Sequence, residues 1–163
     1  GGINSSTYTF WANQYRDMTG NNTWSKSTIK GDMNAMWLTT VRGTDTPKLI
    51  ISTNDFYAAY WESLQDLTRY NDPTGNAKAN AGFVALKYMD ADVVFDSNSN
   101  FSATGEKMYF LNLDYLELCV HRQANWSQAD DKIPVNQDAV LIPILWQGQL
   151  TCSNRARQGL LLD

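Results

Sequence analysis

The chain has 163 residues, a length typical of one compact domain with room for two lobes, and 43% of its residues are apolar. Its net charge is −4, and the charged groups are spread along the chain rather than gathered in a block. This balance argues against a protein that grips nucleic acid through a basic patch, although Arg155 and Arg157 form a local basic pair. No apolar run approaches the length of a transmembrane helix.

The polar segment from Gly1 to Trp24 predicts an extended or looped start to the chain. We expect its isolated aromatic residues, Phe10, Trp11 and Tyr15, to dock on the main body. The sequence begins with two glycines and an isoleucine, without an initiator Met or a targeting pattern, so we expect a fragment or a processed product.

A helix is predicted next, capped by Ser25 or Ser27 and ending near Arg42, just before Gly43. Its apolar residues share the spacing of one helical face, and they are Ile29, Met33, Met36, Trp37 and Val41. A stripe of Met and Trp can line a ligand groove, but it is more often part of a core, and we expect the core.

A short buried strand at Leu49–Ile51 is predicted to lead into a second helix. Thr53 or Asn54 caps this helix, which ends near Arg69. The turn-rich segment Asn71–Asn80 then predicts a loop.

The pattern changes to β beyond Gly82, and a turn at Asp90-Ala91 predicts a hairpin that returns through Val93–Phe95. The segments that follow are a polar loop at Ser97–Glu106, strands at Met108–Leu113 and Tyr115–His121, and a second polar loop, which contains Trp126, at Gln123–Lys132.

The strongest strand signal is Val140-Leu141-Ile142-Pro143-Ile144-Leu145-Trp146, the closing apolar run. Its nearly continuous β-branched and aromatic content predicts a strand buried on both faces in the middle of a sheet. Pro143 cannot donate a ladder hydrogen bond and indicates a bulge or an edge, and Leu150–Cys152 is expected to continue the sheet after a bend. The elements together predict an α/β or α+β domain. We choose the α+β class, with a mixed, mostly antiparallel sheet, a long amphipathic helix and a second covering helix.

Candidate catalytic chemistry is limited to Cys119 and His121, which lie two residues apart and therefore on one face of a predicted strand. No third, orienting residue is signalled. Cys119 and Cys152 are expected to be buried thiols in a reducing compartment rather than a disulfide.

Metal and cofactor signals are weaker still. Asp90 and Asp92 resemble a pair of cation ligands, but carboxylates in a turn more often serve the turn itself. Asp130 and Asp131 fit a solvated loop, and no phosphate-binding or dinucleotide motif occurs. We therefore predict no catalytic residues, no metal site and no cofactor, in a protein whose work is contact with other proteins.

Two alternative functions stay open at this point. A carbohydrate- or ligand-binding module would use exposed Trp and Tyr side chains, Trp126 among them, together with Asn and Asp partners. A small hydrolase would use Cys119 and His121, and would lose its activity when either became alanine.

The order of the segments adds a resemblance. The helix Ser27–Arg42 is followed by Pro47-Lys48-Leu49-Ile50-Ile51-Ser52-Thr53-Asn54-Asp55-Phe56-Tyr57, by Gly82–Tyr88 with Asp92–Asp96, by Lys107-Met108-Tyr109-Phe110-Leu111-Asn112-Leu113-Asp114-Tyr115-Leu116, and by Asn136–Val140 through Gln149–Arg155. In this order the segments resemble the major capsid protein of tailed bacteriophages, with the Hong Kong-type capsid fold.

The resemblance implies that the helix Ser27–Arg42 is the long spine helix of a peripheral domain. Residues 1–45 would hold that helix, residues 46–135 would form the axial domain, and residues 136–163 would be the return strands of the peripheral domain. Subunits of this family carry an N-terminal arm and a long extended loop before the spine helix, so the chain resembles the C-terminal part of such a protein.

The resemblance also implies the function. The protein would be a structural subunit, not an enzyme, that assembles into pentamers and hexamers of an icosahedral shell enclosing DNA. Its partners would be copies of itself, with scaffold or decoration proteins, and packaged DNA only through weak non-specific contact, because the chain is acidic. It would reside in the virion after synthesis in the bacterial host cytoplasm, with no membrane partner. Asn71–Asn80 and Ser97–Glu106 would face a symmetry axis or neighbouring subunits.

Overall fold

The computed structural model describes residues 2–18, 24–65, 86–98, 101, 105–133, 135–136 and 138–163. The chain divides into two compact units. The first comprises Gly1–Leu113 and Asn154–Asp163, and the second comprises Asp114–Ser153. Among the described residues, the first unit contains two α-helices and a six-stranded sheet, and the second contains a two-stranded sheet.

The helices are α1 (Ile29–Thr40) and α2 (Asn54–Gln65), and the strands are β1 (Gln14–Asp17), β2 (Leu49–Ser52), β3 (Leu86–Tyr88), β4 (Ala91–Phe95), β5 (Lys107–Leu111), β6 (Leu116–Gln128), β7 (Ile144–Cys152) and β8 (Gly159–Leu162). The larger sheet has the order β1-β8-β5-β2-β4-β3. Its β1–β8 and β2–β4 pairs are parallel, and its β2–β5, β3–β4 and β5–β8 pairs are antiparallel. The predicted α+β class with a mixed, mostly antiparallel sheet agrees with this arrangement.

The core lies on one face of the six-stranded sheet, against the two helices. Successive strand residues point to opposite faces, so only alternate residues reach this core. Ile50, Met108, Phe110 and Leu161 are fully buried, whereas Leu160 and the other alternate residues of β2, β5 and β8 are only partly buried. The larger sheet is therefore a one-sided layer whose buried face is fixed by register.

The first predicted helix is confirmed as a core element but not in length. Its Ile29, Met33 and Met36 side chains are almost completely buried, so the Met and Trp stripe is core rather than a ligand groove. α1 has 12 residues, the same number as α2, and neither is a long helix. Its N-cap is Thr28 rather than Ser25 or Ser27, and the Thr28 hydroxyl accepts a hydrogen bond from the Ser25 N–H at 2.9 Å.

The hairpin predicted after Gly82 is confirmed where the structure describes it. β3 and β4 are antiparallel and joined by a turn in which Met89 has a φ of 51°. The Tyr60 hydroxyl on α2 donates a 2.8 Å hydrogen bond to the carbonyl of Lys87 on β3. Burial, with a smaller contribution from Tyr88, raises the pKa of Tyr60 to about 12.

The closing apolar run is the largest error of the sequence interpretation. Only its last three residues belong to a strand, because β7 begins after Pro143, and that strand pairs with β6 outside the six-stranded sheet. Apart from Pro143, every side chain from Val140 to Trp146 is more than 40% exposed. The strand that fills the sheet near the chain end is instead β8, which lies between β1 and β5.

The predictions for the first residues and for one loop are also wrong in part. Phe10 is 73% exposed and Tyr15 54% exposed, so neither docks, and Tyr15 lies on β1, a strand that the sequence did not predict. Trp24 packs against the core instead, with its ring 5.2 Å from that of Phe56. The predicted loop Gln123–Lys132 is strand as far as Gln128, because β6 runs on through it.

A partly buried ion pair links β1 to α1. The guanidinium of Arg16 donates to Oδ1 of Asp32 from both Nε, at 3.1 Å, and Nη2, at 2.7 Å. Asp32 is buried, and Arg16 keeps 41% of its side chain exposed. β1 therefore has a charged anchor on the helix layer as well as its backbone pairing with β8.

The predicted division at residues 45/46 and 135/136 stays a prediction. The six-stranded sheet takes β1 from the first predicted segment, β2–β5 from the second and β8 from the third. The two compact units divide the chain elsewhere, at Leu113/Asp114 and Ser153/Asn154.

Candidate assembly surface

The second compact unit is a long two-stranded hairpin. β6 has 13 residues and β7 has 9, and they pair antiparallel from Leu116↔Cys152 to Gln128↔Ile144. A two-stranded sheet is at best marginally stable in water unless another layer covers it. This hairpin is therefore the part of the described chain for which a covering partner is most expected.

One face of the hairpin is largely apolar near its base, whereas towards the tip Asn125 and Gln128 lie opposite Trp146 and Ile144 on that face. Leu118 lies opposite Leu150 in the register, and residues two positions away along each strand share their face. The apolar stripe defined in this way consists of Leu116, Leu118, Val120, Ile144, Trp146 and Leu150. Leu118, Ile144 and Leu150 are each more than 60% exposed. Contiguous apolar exposure of this kind marks an interaction surface.

Gly148 shapes the middle of the apolar stripe. A Cβ placed there would lie 2.5 Å from Cζ2 of the Trp146 indole, so the indole occupies the space that a side chain would need. The Trp126 ring lies beside that of Trp146, with centroids 6.2 Å apart. Trp126 sits at a bulge in β6 with a φ of 54° and is 73% exposed. The two indoles extend the stripe towards the tip of the hairpin.

The opposite face of the hairpin is polar near its base. Glu117 pairs with Thr151, and Cys119 pairs with Gln149. The Thr151 hydroxyl donates to the Glu117 carbonyl at 3.2 Å and lies 3.4 Å from the thiol of Cys119. The base of the hairpin is therefore amphipathic, and only its apolar face would be stabilised by contact with an apolar partner.

The connection between β6 and β7 exposes apolar side chains among its charged ones. Ile133 is 76% exposed, Val135 fully exposed and Leu141 57% exposed. An isolated antiparallel β-bridge between Lys132 and Leu141 holds the two sides of the connection together. These side chains, which the sequence placed partly in a buried strand, extend the exposed apolar surface past the strands.

Cys119 and His121 each contact a different neighbour on the hairpin. The thiol of Cys119 lies against Thr151, and Nδ1 of His121 accepts a hydrogen bond from the Gln123 N–H at 3.3 Å. Both cysteines are free, as predicted, but Cys119 is exposed and Cys152 only partly buried, so the expectation of buried thiols is wrong.

Asp90, in the β3–β4 turn, and Asp92, on β4, each pair with a lysine. Asp90 lies 3.0 Å from Nζ of Lys48, and Asp92 lies 3.2 Å from Nζ of Lys87. The hydrogen bond and charge of Lys48 lower the pKa of Asp90. Each carboxylate therefore has its own cation.

The other acidic and basic candidates are dispersed. Asp130 and Asp131 are exposed, as expected of a solvated loop, and Asp131 accepts a 3.4 Å hydrogen bond from Gln128. Within the described part of the chain, no group of three or more His, Cys, Asp or Glu residues could hold a metal ion. Arg157 is buried with Nη1 3.5 Å from the last carbonyl of α1, at Thr40, whereas Arg155 is exposed, so these two do not form one basic patch.

A small polar pocket lies at the start of α2, and the sequence interpretation missed it. Its volume is about 140 Å³, and it is lined by Asn54, Asp55, Asp96, Ser97 and Glu106. Carboxylates at a helix N-terminus are stabilised by the helix dipole, which accounts for Asp55 in the first turn. These residues are far apart in the sequence, and only the placement of β4 and β5 beside α2 brings them together.

The structure describes only part of the two loops that are predicted to face a symmetry axis or neighbouring subunits. Asn71–Asn80 lies outside the described residues, and so does most of the stretch 99–104. The described ends of the Ser97–Glu106 loop run from an exposed Ser97 to a partly buried Glu106.

Comparison with known proteins now gives the fold a class. No protein-family model matches the sequence, and no curated protein matches it. The structure, however, has a phage capsid-like fold. It is similar to a chain of the cyanophage A-1(L) capsid asymmetric unit, with a TM-score of 0.65 and 16% sequence identity over 99% of this chain. The matched region is 54% of that chain, so this protein spans about half the length of its structural neighbour.

A likeness at 16% identity shows the fold alone, so the predictions of a structural role, of a location in the virion and of no enzymatic activity stay predictions. In the described residues, no helix is both long and apolar enough to cross a membrane.

Proposed function

We propose that the protein is a structural subunit of a tailed-bacteriophage capsid of the Hong Kong type. The observation that supports this most is the match of nearly the whole chain, 99%, to a capsid chain at a TM-score of 0.65. The segment order that resembles this family in the sequence supports it independently, because it does not depend on the coordinates.

The proposed mechanism is assembly rather than turnover. Copies of the subunit close into pentamers and hexamers through heterologous contacts, because only a head-to-tail contact generates a ring. Many modest contacts per subunit then make a durable shell through multivalency. The exposed apolar stripe and the hairpin connection supply surface for such contacts.

The proposed partners follow from the same mechanism. Copies of this chain are the main partner, with scaffold or decoration proteins as further candidates. DNA inside the shell would touch the subunit weakly, because a net charge of −4 offers little phosphate affinity. The protein would be made in the bacterial host cytoplasm and would remain in the virion.

The finer domain assignment belongs to the proposal as well. Under the Hong Kong-type arrangement, α1 serves as the spine helix, residues 46–135 form the axial domain, and residues 1–45 and 136–163 form the peripheral domain. The two compact units offer a competing division at Leu113/Asp114 and Ser153/Asn154. A density map of an assembled shell would show which boundary separates the two domains.

Negative-stain electron microscopy of the product of the complete gene tests the proposed function. We expect rings or closed shells of uniform size. Particles that stay monomeric across salt and protein concentration, with the fold intact by circular dichroism, would refute a role as a shell-forming subunit.

A further inference from the structure

We infer that the side-chain amide of Gln158 is a clamp that ends the six-stranded sheet and lets the hairpin unit open without loosening that sheet. The hairpin unit is the second compact unit, Asp114–Ser153. The clamp joins Asn112, which precedes the hairpin unit in the chain, to Gln158, which follows it, and both residues belong to the first unit. The inference goes beyond the capsid role and does not depend on it.

Asn112 lies at the position where the chain would make one more backbone pair between β5 and β8. Antiparallel strands form hydrogen-bonded pairs at every second residue. One such pair is Glu106 with Asp163, because the Asp163 N–H donates to the Glu106 carbonyl at 3.0 Å. In the β5–β8 register the last such pair is therefore Phe110 with Gly159, and Asn112 is the next residue whose backbone groups face β8.

A side chain takes the place of the backbone partner that Asn112 would have. The register would match Asn112 with Arg157, but Arg157 belongs to a short 3-10 turn that begins at Arg155. The Oε1 of Gln158 accepts the Asn112 N–H at 2.9 Å, and its Nε2 donates to the Asn112 carbonyl at 3.1 Å. A carboxamide carries an acceptor and a donor, as a peptide group does, so it closes the ladder with an equivalent pair of hydrogen bonds.

The two residues of the clamp are fixed by the larger sheet. The backbone carbonyl of Gln158 accepts the Gln14 N–H at 2.9 Å, which holds Gln158 at the start of β8. Asn112 is only 1% exposed and follows β5 directly. Because buried backbone groups are destabilising when they lack hydrogen bonds, the folded sheet favours the closed clamp.

The hairpin unit has little of the burial that stabilises the larger sheet. Within its described residues, Ala124 is the one buried hydrophobic side chain, and it lies outside the core that the helices share with the sheet. A two-stranded sheet is marginally stable in water, and segments with few buried apolar contacts open at a lower free energy than the whole fold. An opening that starts in the hairpin reaches the sheet at Asn112, where the two hydrogen bonds of the clamp oppose its spread into β5.

Amide hydrogen exchange, followed residue by residue by NMR on the whole 163-residue chain, tests the clamp. After correction for intrinsic rates, we expect the amides of β6 and β7 to exchange about 10-fold faster than those of β5, or more. The Phe110 N–H is the reporter, because it lies beside the clamp but does not bond to Gln158. In the unaltered protein, Phe110 should exchange as slowly as Met108, in the interior of β5.

Three variants separate the clamp from its surroundings. Gln158→Met removes both hydrogen bonds but keeps the length of the side chain, so exchange at Phe110 should rise about 10-fold or more while Met108 stays slow. Gln158→Glu keeps the acceptor and loses the donor, so the rise should be smaller. Gln14→Ala is the matched control, because it shortens a glutamine that donates to the Ala156 carbonyl at 3.4 Å and leaves the clamp intact. Exchange at Phe110 should not change in this control.

Equal exchange at Phe110 in Gln158→Met and in the unaltered protein would overturn the inference. So would hairpin amides that exchange as slowly as those of β5, because the two units would then open together. If Gln158→Met does not fold, the comparison of Gln158→Glu with Gln14→Ala decides. Faster exchange at Phe110 in Gln158→Glu alone supports the clamp, and equal rates in the two variants refute it.

Discussion

Replacement of Leu161 by alanine tests the register of β8, on which the core of the larger sheet depends. Leu161 is fully buried and lies opposite Met108 on β5 and Arg16 on β1. Truncation of a fully buried leucine removes its transfer free energy and leaves a cavity, at a cost of about 2–5 kcal/mol. We expect a loss of about 3 kcal/mol in the free energy of unfolding.

Leu160 is the matched control for this substitution. It is the same residue type on the same strand, but it points to the other face of the sheet and is only partly buried. Its replacement by alanine should cost about 1 kcal/mol, because only part of the side chain leaves a packed environment. The difference between the two variants, about 2 kcal/mol, measures the one-sidedness of the sheet.

The assay is urea unfolding followed by the helical circular dichroism signal. Both described helices belong to the unit that contains β8, so this signal reports that unit rather than the hairpin. A loss of about 3 kcal/mol also lowers the melting temperature by about 6–12 °C in a chain of this length. A cost for Leu160→Ala equal to or greater than that for Leu161→Ala would show that β8 is out of register by one residue, and the reasoning would fail.

Three further predictions follow from single sites. Burial raises the pKa of Tyr60 from 10.0 to about 12, so its stabilising contribution is complete below pH 10 and is lost between pH 10 and 12. Tyr60→Phe should therefore flatten the fall in melting temperature over that range. An unchanged fall would contradict this assignment. Gly148→Ala should displace the Trp146 indole and raise the fraction of tryptophan fluorescence that acrylamide quenches, whereas unchanged quenching would show that the ring does not lie over the strand. Gly31→Ala should stabilise the protein by up to about 1 kcal/mol in the same urea assay, since no atom within 4 Å opposes the new methyl group and alanine favours helix; destabilisation would refute this.

The sequence was most informative where local pattern and tertiary burial agree. α1, β2 and the start of α2 follow from apolar spacing, because each of these elements turns a single apolar face to the core. Of the two predicted caps of α2, Thr53 is the one directly before the helix, and its carbonyl accepts the Tyr57 N–H at 3.0 Å. β1 and β8 could not be found in the same way. β1 contains Tyr15, Arg16 and no apolar alternation, and it exists because the β8 backbone pairs with it.

The candidate surface was missed for a different physical reason. A continuous apolar run in the sequence says that its side chains must be covered, but it does not say whether the cover belongs to the same chain. Leu141 and Ile142 each keep more than half of their surface exposed in the described part of the chain. The strict alternation through Leu116, Leu118 and Val120 was the signal available for an amphipathic hairpin, and the prediction of a polar loop from Gln123 hid how far β6 extends.

The neighbouring places of β1 and β8 constrain when the larger sheet can be completed. Gln14 pairs with Gly159, so the parallel β1–β8 pair joins residues that are translated far apart in time. Until residues 159–162 have left the ribosome, β5 has only one of its two neighbouring strands and β1 has none. The nascent chain therefore keeps strand edges whose backbone hydrogen-bonding groups are unpaired. It cannot complete this part of the sheet before residues 159–162 have left the ribosome.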